Sequence, residues 1–71
     1  MNNIEYAWVI QRDDGCFLFA FDEKGVYFSI KDRLVMIDSD YAEWFIGIRK
    51  LQNCKPVKVK IEVVEDERDF V

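Results

Sequence analysis

The sequence predicts an α+β domain: an antiparallel sheet of four to five strands, in the order ββββαβ or βββαβ, with one amphipathic helix packed on one face. Three observations predict it. Two apolar runs flank Asp14-Gly15, a dipeptide with hairpin-turn chemistry. Residues 41 to 51 carry bulky apolar side chains at helical spacing. Val57, Val59, Ile61 and Val63 alternate with Lys58, Lys60 and Glu62, as in a half-buried strand.

Residues 5 to 12 and 16 to 22 read as the first hairpin, with Asp14-Gly15 as a two-residue turn whose central positions need positive φ. With Asp13 facing Cys16, Ile10 lies opposite Phe19 and Trp8 opposite Phe21. Tyr6, Trp8, Ile10, Phe17, Phe19 and Phe21 then share one face. A second turn at Lys24-Gly25 sets Phe21 opposite Phe28 and brings Val26, Phe28 and Ile30 of a third strand, 26 to 31, onto that face. Leu34 to Ile37 reads as a short fourth strand after a turn at Lys31-Asp32-Arg33.

At Asp38 the signals change. Asp38, Ser39 and Asp40 offer capping oxygens, Glu43 follows Asp40 by three residues, and acids suit a helix start. Tyr41, Trp44, Phe45, Ile48 and Leu51 form the expected buried stripe of a helix ending near Gln52, closed by Asn53 and Pro56. Gly47 inside it either marks close packing or is a tolerated weakness, since glycine costs about 1 kcal/mol relative to alanine there. The closing strand begins at Val57. Short connections give the strand order 4-3-2-1-5.

A chain of 71 residues supports one domain, 1–71, with a folded core over 5–64 and an acidic tail over 65–71. So short a chain buries only about 60% of its unfolded surface. Its 51% hydrophobic and 15% aromatic content offsets small size with large side chains. Stability is still narrow, because chain entropy nearly cancels the gain, so self-association into a homodimer would help. No apolar run reaches the roughly 20 residues of a membrane span, and no signal segment opens the sequence, so a cytoplasmic protein with no membrane partner is expected. Reduced, unpaired Cys16 and Cys54 fit that compartment.

Chemistry is sparse. Without histidine the chain lacks the commonest general base and metal ligand. It has no threonine, and Ser29 and Ser39 have no base near them in sequence. Two cysteines alone cannot complete a zinc site, and Gly15, Gly25 and Gly47 lie too far apart to cradle a phosphate. The expectation is a non-enzymatic protein with no cofactor and no bound metal.

Three surfaces remain as binding candidates. The predicted register leaves Val9, Gln11, Leu18 and Tyr27, with Lys58 and Lys60, on the uncovered sheet face as a surface for a protein partner, although scattered apolar residues on a solvated sheet are common. Arg49, Lys50, Lys55, Lys58 and Lys60 make a basic stretch that could meet nucleic acid or a nucleotide; a helix end and a solvated strand would use the same residues. Asp13, Asp14, Asp22 and Glu23 with Glu65, Asp66 and Glu67 form an acidic surface, and most of these also suit turns. Net charge of -4 favours neither bulk nucleic-acid binding nor strong nucleic-acid mimicry.

Tyr6-Ala7-Trp8-Val9-Ile10, the turn at Asp14-Gly15 followed by Phe17-Leu18, Met36-Ile37-Asp38-Ser39 leading into Ala42-Glu43-Trp44-Phe45-Ile46, and the strand from Val57 to Val64 resemble the small accessory proteins of tailed phages and prophages. The resemblance covers roughly residues 5 to 65. It implies a binding protein that disables a host enzyme or immune complex by occlusion, as anti-CRISPR proteins do, in the host cytoplasm. The expected function is thus a non-enzymatic inhibitor or adaptor that uses the exposed sheet face, an edge strand or acidic loops. A nucleic-acid binder and an assembly subunit are the alternatives.

Overall fold

Strand, strand, strand, helix, strand is the order of elements: β1 (Asn2–Arg12), β2 (Phe17–Asp22), β3 (Gly25–Ser29), α1 (Ser39–Ile48) and β4 (Cys54–Val64). The computed structural model describes residues 2–64, with side chains from Glu5 to Ile61. The strands form one antiparallel sheet in the order β3-β2-β1-β4 with α1 packed on one face, so the α+β expectation holds in its βββαβ form. The expected tail over 65–71, with Glu65, Asp66 and Glu67, lies outside the described residues.

The first turn overturns the expected register. Gln11 pairs with Phe17, and the Arg12 N–H donates to the Cys16 carbonyl at 2.8 Å, which leaves three loop residues, Asp13 to Gly15. A two-residue turn would need Asp14 as well as Gly15 at positive φ. Only Gly15 has it, at 93°. The Asp14 carboxylate instead accepts from the Cys16 N–H at 3.0 Å and from the Arg12 guanidinium at 2.8 Å. One extra loop residue turns β2 over. Leu18 joins Ile10 beneath the helix, and Phe17 lies on the other face with the Arg33 guanidinium 4.1 Å above its ring.

A β-bulge then re-phases β2. Leu18 pairs with Phe28 but Ala20 pairs with Tyr27, so β2 holds one residue more than β3 in that interval. Beyond it Phe21 is back on the helix side, its ring 4.9 Å from that of Phe45. Phe19, at the bulge, is exposed. The second loop is Glu23-Lys24 rather than Lys24-Gly25, which sets Phe21 opposite Val26 instead of Phe28. The Asp22 carboxylate builds this turn by accepting from the N–H groups of Lys24 at 2.8 Å and Gly25 at 3.1 Å. The shift is two residues, so Val26 and Phe28 keep their expected side and pack against the core.

Leu34 to Ile37 is not an outer strand. It runs between β2 and β1, which part company soon after their hairpin. The Leu34 N–H donates to the Leu18 carbonyl at 2.9 Å, and Met36 exchanges two bonds with Trp8, at 2.9 and 2.7 Å. This segment is a wedge that closes the gap with backbone hydrogen bonds and buries Met36 in the core. Removing it from the expected order 4-3-2-1-5 leaves the observed sheet.

The helix begins as its sequence suggests, with the Asp38 carboxylate accepting from the Tyr41 N–H at 2.7 Å. It ends earlier, at Ile48, because Lys50 adopts φ 54° and lets the Leu51 N–H reach back to the Ile46 carbonyl at 3.0 Å. Its buried face is Ala42 and Phe45 with Ile46 beside them. Tyr41, Trp44 and Ile48, expected inside, are exposed. The apolar arc of α1 is wider than one sheet face can cover.

In β4, Val57 and Val59 pair with Val9 and Ala7, whereas Lys58 and Lys60 pair with Trp8 and Tyr6. The valines therefore lie on the face away from the helix and the lysines on the helix side, the reverse of the expected arrangement. Val9 is fully buried on that far face. The main core, Ile10, Leu18, Met36, Ala42 and Phe45, lies on the helix side.

Two substitutions test this packing by urea denaturation. Leu18→Ala is expected to cost about 2–5 kcal/mol, and Phe19→Ala much less, the opposite of what a two-residue first turn would give. A Cβ at Gly47 meets nothing within 4 Å, so Gly47→Ala is expected to stabilise the fold by about 0.5–1 kcal/mol.

Candidate functional site

The surface combines much exposed apolar area with few reactive groups. Exposed large apolar side chains gather on α1 and along the wedge, while Phe19, Tyr27 and Ile30 are exposed elsewhere. On α1, Tyr41 and Trp44 stack at 5.6 Å and Ile48 continues their stripe. Along the wedge, Val35 and Ile37 point away from the core, and Ile37 is 91% exposed.

Two clefts flank the wedge. One, of about 460 Å³, is lined by Phe21, Leu34, Met36, Asp38 and Tyr41 together with Val35 and Ile37. The other, of about 270 Å³, lies against Glu5, Tyr6, Ala7 and Ile61 and shares Val35 to Ile37. Neither contains a nucleophile paired with a base. The carboxylate in the larger cleft, Asp38, already caps the helix.

Beside the smaller cleft β1 has an open edge. In an antiparallel ladder, alternate residues aim N–H and C=O at the same edge. Trp8 gives both groups to Met36, so Tyr6 and Ile4, in the same phase, present theirs on that edge too. No strand pairs with them there among the described residues. Ile37 and Val35 stand where the ladder stops, so an extended segment placed on this edge would continue it and touch both.

The residues singled out from sequence are scattered. Val9 and Leu18 have no exposed surface, on opposite faces of the sheet, and cannot meet a partner in this fold. The half-buried Gln11 amide donates to the Gly15 carbonyl at 3.4 Å. The Tyr27 hydroxyl donates to the Asp22 carboxylate at 3.0 Å, and the Lys24 N–H followed by this hydroxyl holds Asp22 below the usual carboxylate range. Lys58 sits with its ammonium 4.8 Å from the centre of the Tyr6 ring.

The basic stretch does not form one surface. Arg49 lies over the rings of Phe21 and Phe45 and donates to the Asp22 carbonyl at 2.9 Å, so it braces α1 against the second hairpin. Lys50 ends the helix. Lys55 pairs with Gln11 on the far face, while Lys58 and Lys60 are on the helix side. Asp13, Asp14, Asp22 and Glu23 are exposed at the two hairpin turns. The wedge and the open edge went unread because both depend on β1 and β2 diverging. Repeated apolar residues at 34 to 37 were their one visible sign.

Cys16 and Cys54 are free thiols, and burial raises the pKa of Cys54. Among the described residues no three metal-ligating side chains gather, and no helix is long and apolar enough to cross a membrane. No protein-family model, no curated protein and no solved structure matches the chain.

The Asp14 turn gives a pH test. Its hydrogen bonds with the Arg12 guanidinium, and then with the Cys16 N–H, lower its pKa from 3.8 to about 2. A depressed carboxyl contributes stability above its unfolded pKa and loses it as pH falls through the folded value. Thermal melts are expected to show stability falling between about pH 4 and pH 2, with a smaller fall in Asp14→Asn.

Proposed function

We propose that this chain is a small non-catalytic binding protein, an inhibitor or adaptor, that docks on a partner protein and covers part of its surface. The observation that carries this reading is the open edge of β1 at Ile4 and Tyr6, with Ile37 standing 91% exposed beside it. Main-chain groups along such an edge take up an extended segment, and the smaller cleft beside it accepts its alternate side chains. The contact surface is thus the edge and the wedge, in place of one built on Val9 and Leu18.

Occlusion is the mode of action that suits so small a molecule, and the sequence likeness to phage accessory proteins points to a host enzyme or immune complex as the target. Free thiols fit action in the cytoplasm. Nucleic-acid binding has less support, because the basic residues divide between two faces and net charge is -4.

Immobilised chain is expected to retain one stoichiometric protein from a lysate of its natural host. Ile37→Glu, at a position so exposed that the fold is undisturbed, should lose that protein, whereas Lys55→Glu on the opposite edge should keep it. Capture unchanged by Ile37→Glu would rule out the wedge as the contact.

A further inference from the structure

We infer that the exposed face of α1 pairs with the same face of a second copy of this chain, in an antiparallel dimer about a two-fold axis near Trp44. The surface is distinct from the open edge of β1 and meets the wedge only at the larger cleft, which Tyr41 and Phe21 also line. Its centre is Tyr41, Trp44 and Ile48, which are 47%, 56% and 60% exposed, and Phe21 adjoins it through its contact with Phe45. Spacing of three and four residues places the helical side chains in one seam, the arrangement that helix pairs interlock.

The area fits a dimer. An aromatic side chain offers roughly 150–250 Å², so the three partly exposed rings with Ile48 leave about 300–450 Å² of apolar surface. Interfaces between identical chains are about 65% apolar, so that patch corresponds to about 460–700 Å² for each copy, reaching the lower part of the roughly 600–1,000 Å² range of standard interfaces. Left open, it would match in size the largest apolar patch of a typical soluble monomer, and such a patch is often functional.

Self-pairing is favoured over a foreign partner by two features of this chain. First, only seven hydrophobic side chains are buried among the described residues, so the fold gains from additional permanent burial. Second, the two ends of α1 carry opposite free charges: Asp40 lies in its first turn, and Lys50 follows its last residues. An antiparallel pair sets each acidic start beside the other's basic end and opposes the two helix dipoles, whereas a parallel pair would juxtapose like charges.

Analytical ultracentrifugation of the full chain well above micromolar concentration tests this. The expected mass is twice the 8.5 kDa of one chain. Trp44→Glu and Ile48→Glu should sediment as folded monomers, judged by circular dichroism, while Ile37→Glu on the wedge should remain a dimer. Asp40→Lys should weaken the dimer several-fold, and adding Lys50→Asp should restore it. A native chain that stays monomeric, or a dimer that survives Ile48→Glu, would overturn the proposal. Failure of the charge reversal to restore association would overturn the antiparallel arrangement.

Discussion

Which face of β2 looks at the helix is decided at the first turn, where Gly15 alone takes positive φ. Because Asp14 does not share it, the first loop holds three residues, and Leu18 rather than Phe17 enters the core beside Ile10. Much else follows. Leu18 offers its carbonyl to Leu34, which anchors the wedge, and the wedge in turn bonds to Trp8 and stops β2 from pairing along the rest of β1. The bulge after Leu18 lets Phe21 return to the helix side, where Phe45 and Arg49 pack on it. Core, gap and open edge are thus linked to a single turn.

Element types and their order were legible in the sequence because they rest on strong local signals: the valine and lysine alternation of β4, the Asp38 cap and the two glycine-containing turns. Side-chain facing was less legible, for a physical reason. Parity arguments work when a strand is apolar on one side only, and β1 is apolar on both, with Trp8 and Ile10 on one and Ala7 and Val9 on the other. Either face of β4 could therefore match it. Helix rotation was ambiguous in the same way, since Tyr41, Ala42, Trp44, Phe45, Ile46 and Ile48 leave only a narrow polar side to orient α1.

The site was less readable still. Residues adjacent in a strand point to opposite faces, so the basic stretch looked continuous in sequence and divides in the fold. The open edge arises from strands that diverge and has no residue signature of its own. What composition did convey was an excess of bulky apolar groups for so few residues. The structure distributes that excess between a thin core and two external surfaces, one with unpaired backbone groups and one without. That difference separates a surface that accepts an extended segment from one suited to a helix.

The outer side of β4 bears on whether the sheet can extend by adding another strand. Pro56 pairs with Ile10, whose main-chain groups turn away from β4, so the missing proline N–H falls on the outer rim, where it removes a donor that another sheet could use. Lys55, Lys58 and Lys60 line the same border and repel a like copy approaching it. Fibre growth needs two adhesive borders on each unit, and this rim supplies a poor one. Whatever greasy surface the chain displays elsewhere, the β4 border is a poor place to add another sheet.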